Sequence, residues 1–233
     1  MTPHPLRPLG FDLVGFDLDG TLVDTSPDLA AAVDAALAHG GFPPLDADIR
    51  PMIGGGSRLM LRRGLEAAGQ HDEALVDRLL PVLLQSYHDN IAVGSRPYPG
   101  MLEALDALSA SGVTLAVVTN KLEALATRLL DALDLTDRFA TVIGGDSVGR
   151  SKPDPAPIHA MVERCGGGRA AFVGDSIFDV GAAHAAGLPA IAVSFGFLDR
   201  PVEVLGADQV INHYDELVPA LATLGRVPDP CAA

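Results

Sequence analysis

The sequence predicts an α/β protein: a Rossmann-like open parallel sheet core with an inserted all-helical cap. Three observations predict it. Beyond residue 97, short apolar runs of strand length alternate with helical stretches. Between 26 and 93 only helical periodicity occurs. Polar residues cluster directly after the apolar runs, where an open parallel sheet places its ligand.

The elements follow in order. Phe11–Phe16 is a short apolar strand that runs into Asp-Leu-Asp-Gly-Thr, a turn. Ser26 is a candidate helix cap, with Pro27 at the first helical position and Asp28 at the positive end of the dipole. Leu29, Val33, Ala36 and Leu37 keep helical spacing until Gly40-Gly41 closes the helix. A second helix follows Gly54-Gly55-Gly56, and a third spans Ala74–Ile91 with a bend expected at Pro81. After Gly94–Pro97 the reading is helix 101–111, strand 113–118, helix 122–133, strand 140–143 and helix 156–165. It continues with strand 171–173, helix 177–186, strand 190–193, strand 209–211 and helix 215–224. The first strand is thus cut off from its sheet by a helical insert, giving a core of 1–25 and 94–233 and a cap of 26–93.

Composition narrows the function. Of 233 residues, 48% are hydrophobic and 20% charged, which excludes a disordered chain. Thirty acidic residues against 16 lysines and arginines give a formal net charge of −14, the wrong sign for a nucleic-acid binder. No apolar run is long enough to span a membrane. Cys165 and Cys231 are far apart and make no disulfide framework. The proline-rich Met1–Pro8 carries no signal-peptide pattern, and a cytoplasmic protein, monomer or homodimer, is expected.

The strand ends carry the chemistry. Asp17, Asp19 and Thr21 follow the first strand, Thr119, Asn120 and Lys121 the second, Lys152 the third, and Asp175, Ser176 and Asp179 the fourth. Each group has an ordinary structural reading by itself: Asp19-Gly20 as a turn, Asp175 as a helix cap, Lys152-Pro153 as a rigid loop. Together, converging carboxylates repel one another unless a cation joins them. Oxygen ligands without nearby His or Cys favour Mg²⁺ over Zn²⁺. Thr119, Asn120 and Lys152 are donors suited to phosphoryl oxygens. Mg²⁺ and Lys152 would then make a cationic site in an acidic protein. The substrate expected is a small anionic phosphate ester.

Asp17-Leu-Asp-Gly-Thr-Leu-Val-Asp24, Thr119-Asn120, Lys152-Pro153 and Gly174-Asp-Ser176 with Asp179 resemble the four motifs of the haloacid dehalogenase superfamily. A helical cap inserted after the first motif is also a trait of that superfamily. Within it, Tyr98-Pro-Gly100, Thr119-Asn-Lys121, Gly144-Gly-Asp-Ser147 and Lys152-Pro-Asp-Pro155 look most like the bacterial phosphoglycolate phosphatases. Gly54-Gly55-Gly56 departs from their Gly-Asn-Gly cap loop.

The resemblance implies a Mg²⁺-dependent phosphomonoester hydrolase acting through an aspartyl phosphate. Asp17 would be the nucleophile, Asp19 the acid and base, and Lys152 a catalytic partner of Asp17. The implied metal ligands are Asp17, the Asp19 carbonyl and Asp175, with Asp179 and Ser176 supporting them or a bound water. In the cap, Gly54, Gly55 and Gly56 could approach the substrate through backbone N–H groups, and Arg58 could pair with its carboxylate. Other readings are a phosphatase for nucleotides, sugar phosphates or pyrophosphate, a phosphosugar mutase, and a non-catalytic binding protein on this fold.

Overall fold

The computed structural model describes residues 9–198 and 200–226. Met1–Pro8 and Cys231 lie outside the described residues. The core is a six-stranded sheet built from β1 (Leu13–Phe16), β4 (Thr114–Val118), β5 (Thr141–Ile143), β6 (Ala170–Gly174), β7 (Ala190–Val193) and β8 (Gln209–Ile211). Its spatial order is β5-β4-β1-β6-β7-β8, and every pairing is parallel. The remaining strands, β2 (Val23–Asp24) and β3 (Arg96–Pro97), form a separate two-residue antiparallel ribbon.

Parallel neighbours need crossovers, and helices supply them. These are α4 (Met101–Ala110), α5 (Glu123–Ala132), α6 (Ala156–Arg164) and α7 (Ile177–Ala185), with α8 (Leu217–Gly225) closing the described chain. Both sheet faces are covered, so the strands are apolar on both sides. Val14, Phe16, Leu115 and Val117 face one buried cluster, and Leu13, Ala116, Val118 and Phe172 the other. Gly15 fits that alternation because a β-carbon there would lie 2.3 Å from the Met161 sulfur.

The chain leaves β1 towards β4 and β5, then returns to the opposite side of β1 with β6. The crevice at such a reversal is where open α/β sheets bind ligands. The register makes this concrete. Phe16 sits level with Val117 on one side and Val173 on the other. The residues that follow these three strands therefore emerge side by side.

Three helices are inserted between β2 and β3: α1 (Ser26–His39), α2 (Ser57–Ala67) and α3 (Glu73–Asp89). The ribbon pairs the two ends of this insert, Asp24 opposite Arg96. Asp28 fastens them further, accepting from the Gly94 and Ser95 N–H groups and the Ser95 hydroxyl at 2.8, 2.8 and 2.6 Å. Ser26 begins α1 rather than capping it, because its hydroxyl and N–H both donate to Asp24. α3 runs through Pro81 without a break. No helix among the described residues is long and apolar enough to cross a membrane.

Candidate active site

Asp17 leaves β1 buried at the carboxyl edge of the sheet. The turn after it is tight: Leu18 O accepts from Leu22 N and Val23 N at 3.0 Å each, and Gly20 N donates to Val23 O at 2.9 Å. Gly20 has φ +82°, and a β-carbon there would meet the Asp175 carboxylate at 2.1 Å. Only glycine lets the first and fourth strand ends approach this closely.

Lys152 reaches the same point from the loop before α6. Its ammonium is buried, 2.9 Å from Asp17 Oδ1 and 2.6 Å from Asp179 Oδ1, and it donates to Val118 O at 2.7 Å. Burial acts to lower the lysine, but Asp17 and Asp179 outweigh it and hold the ammonium above its ordinary value. For Asp17, burial dominates over the attraction of Lys152, and Asp179 and Asp19 add repulsion; its carboxyl is pushed up to about 7. Asp175 is also raised, by burial first and then by Asp179 and Asp17.

Asp17, Asp175 and Asp179 each offer an oxygen within 4.8 Å of the others. Asp175 Oδ2 accepts from Phe197 N at 2.6 Å, whereas its Oδ1 is buried with no hydrogen-bond partner. Crowded carboxylates, two of them raised and one with an orphaned oxygen, are a donor set that a cation would complete. The cluster fits a metal ion. Asp179 is the member already committed elsewhere: its Oδ2 accepts from Ser176 N and Oγ at 3.0 and 2.5 Å, and its Oδ1 holds Lys152. Ser176, not Asp175, precedes α7 as its cap residue.

Asp19, two residues beyond Asp17, accepts from the Thr25 hydroxyl at 2.7 Å and is gripped by Lys121, whose Nζ is 2.8 Å from both carboxylate oxygens. Thr119 is buried, and its Oγ1 accepts from Lys121 N at 3.2 Å, so the hydroxyl proton is available to a ligand. The Asn120 side chain takes a structural role. Its Oδ1 accepts from Lys152 N at 2.9 Å, and its Nδ2 donates to Lys152 O and Gly54 O at 3.1 and 3.0 Å. The side chain is spent as a brace between two core loops and the insert, so it has no donor left for phosphate.

A small cavity of about 40 Å³ lies between this edge and the insert. Asp17, Asp19 and Thr119 form its floor, and Gly54, Gly56 and apolar side chains of the insert cover it. Gly55 is not part of that lining; a β-carbon there would strike Leu59 at 2.3 Å. Arg58 is not part of it either. Its guanidinium pairs with Asp77 and Glu73 on α3 at 2.6 and 3.0 Å, an exposed ion pair within the insert. Lys121 has no role in the sequence pattern set out above, yet it lines the cavity. Its place directly after Thr119-Asn120 at a strand end was the signal.

Residues 14–193 match the family model of haloacid dehalogenase-like hydrolases. The chain belongs to this family. The match spans the insert as well as every strand end described above. Among the family's curated members, the phosphoglycolate phosphatase of Caulobacter vibrioides is 44% identical over 94% of each chain. That of Agrobacterium fabrum is 43% identical over 95% of each. A solved structure described as a predicted phosphoglycolate phosphatase from Haemophilus somnus superposes on this hydrolase with a TM-score of 0.82. It has 31% identity and covers 91% of this chain and 98% of its own.

Proposed function

We propose that this phosphoric monoester hydrolase is a magnesium-dependent phosphatase that converts 2-phosphoglycolate to glycolate and phosphate through an aspartyl phosphate on Asp17. The observation that carries the reading is the pair of carboxylates two residues apart at the floor of a cavity covered by the insert, one held by Lys152 and the other by Lys121. The names of the relatives at 44% and 43% identity support the substrate. Of the described residues, 9–25, 94–198 and 200–226 make up the core, and 26–93 the cap that covers it.

Mg²⁺ would be held by Asp17, Asp175 and the main-chain carbonyl of Asp19, and it would neutralise charge on the phosphoryl oxygens. Lys152 and the Thr119 hydroxyl bind those oxygens, and Lys152 also fixes Asp17 for attack. An Asp17 oxygen forms a bond to phosphorus as the ester P–O bond breaks. Asp19 gives its proton to the departing glycolate oxygen, then takes one from the water that attacks the phosphorus of the acyl phosphate. That attack releases phosphate and regenerates Asp17. Asp179 and Ser176 keep Lys152 and the Asp175 loop in place. The insert keeps bulk water from the intermediate.

A substrate panel tests the reading. With Mg²⁺, kcat/KM for 2-phosphoglycolate should exceed that for sugar phosphates and mononucleotides by about tenfold or more. Excess chelator should abolish activity, and added Mg²⁺ should restore it. A flat panel would overturn the substrate, and full activity in chelator the metal.

A further inference from the structure

Lys121 is the one cation among the residues lining the cavity. Its side chain is only 6% exposed. Its ammonium touches both oxygens of Asp19 on one side and lies 4.5 Å from the centre of the Tyr87 ring, on α3, on the other. Burial comes first among the influences on this ammonium and acts to lower it, but Asp19 outweighs it and holds the group above its ordinary value. The Tyr87 hydroxyl is buried beside the ammonium without a hydrogen-bond partner of good geometry. The cover of the cavity is otherwise mostly apolar, with Leu29, Ile53, Met60 and Leu83 around it, and Ser57 is its one other polar side chain.

A second negative charge cannot rest unpaired in such surroundings. Arg58 cannot supply the pairing, because it is committed to Glu73 and Asp77. Lys121 can: an ammonium carries three donors, and Asp19 does not use the full shell. Position matters as much as charge. In the phosphate ester of a 2-hydroxy acid, the carboxylate is one carbon away from the ester oxygen. A site for such an ester needs its carboxylate-binding cation next to the group that protonates the ester oxygen. Lys121 and Asp19, 2.8 Å apart, are so placed.

We propose that Lys121, with the Tyr87 hydroxyl beside it, binds the substrate's carboxylate and makes the enzyme selective for phosphate esters of short 2-hydroxy acids. This rests on the phosphatase reading and names the residues that read its substrate.

The experiment compares kcat/KM for 2-phosphoglycolate and for 2-hydroxyethyl phosphate, its neutral-tailed counterpart, in the Mg²⁺-loaded enzyme. Wild type should prefer phosphoglycolate. Lys121→Met will slow both substrates through Asp19, so the ratio is what counts. It should fall by roughly ten- to hundredfold, mainly through KM, as expected for the loss of a charge-assisted contact. Lys121→Arg should recover most of the ratio. If Lys121→Met does not fold, Lys121→Gln reads the same ratio. A wild-type preference that survives in the Met or Gln variant overturns the proposal and leaves the phosphoglycolate reading standing. A wild type without preference overturns both.

Discussion

In the proposed mechanism, Asp17 serves the chemistry from a buried position that costs stability. Asp17 is buried among carboxylates, and its carboxyl is pushed up to about 7 by burial, with Asp179 and Asp19 opposing its charge and Lys152 favouring it. Asp17→Asn removes one crowded charge while Lys152 keeps Asp179 and Val118 O. An amide is nearly isosteric but a poor nucleophile. The variant should therefore lose activity by about 10³-fold or more, while unfolding in chelator at pH 8 no lower than wild type. Steady-state kinetics and a melting curve on the same preparation check both halves, and retained turnover would remove Asp17 as the nucleophile. Asp17, Thr119 and Asp175 were legible in the sequence because each directly follows an apolar run, whereas Lys152 lies nine residues beyond β5 and was legible from its Lys-Pro pattern. Arg58 was misplaced for a physical reason. Which face of α2 meets α3 depends on packing between helices, and the acids that capture Arg58 lie 15 and 19 residues away.

Elements with enough residues to show a period were read from the sequence; those without were not. Ala190–Val193 and Gln209–Ile211 coincide with β7 and β8, and the helices agree to within a few residues. The β2–β3 ribbon, two residues on each side, has no period to read, and its pairing spans the whole insert. The Asn120 brace is hidden in the same way, because it depends on three loops meeting in space. Asn120→Ala would leave Gly54 O and both polar groups of the Lys152 backbone without this partner. A loss of about 1–3 kcal/mol is expected for buried groups left unsatisfied. Denaturant unfolding measures it. Turnover should fall as well, because the Lys152 loop and the cover over the cavity lose their common tie. Unchanged stability would mean that water replaces the amide.

At the scale of the whole molecule, a chain of net charge −14 gathers buried carboxylates at one sheet edge, and its stability should depend on pH and metal together. Folded Asp17 keeps its proton to about pH 7, well above the ordinary carboxylate range that the unfolded chain restores. Asp175 is shifted in the same direction, chiefly by burial. Between those limits the folded state binds more protons than the unfolded one, so these groups make the metal-free protein less stable as pH rises. A divalent ion binds the ionised carboxylates and reverses the penalty, which makes its effect larger at higher pH. Each proton displaced contributes up to about 1.4 kcal/mol per pH unit, roughly 3–5 °C for a chain of this size. The rise in Tm on replacing chelator by Mg²⁺ should therefore be several degrees greater at pH 8 than at pH 5.5. Asp175→Asn should remove most of that difference, separating the site from general screening of the acidic surface. Equal rises at both pH values would mean that the carboxylates are already ionised in the metal-free protein, with Lys152 alone outweighing their burial.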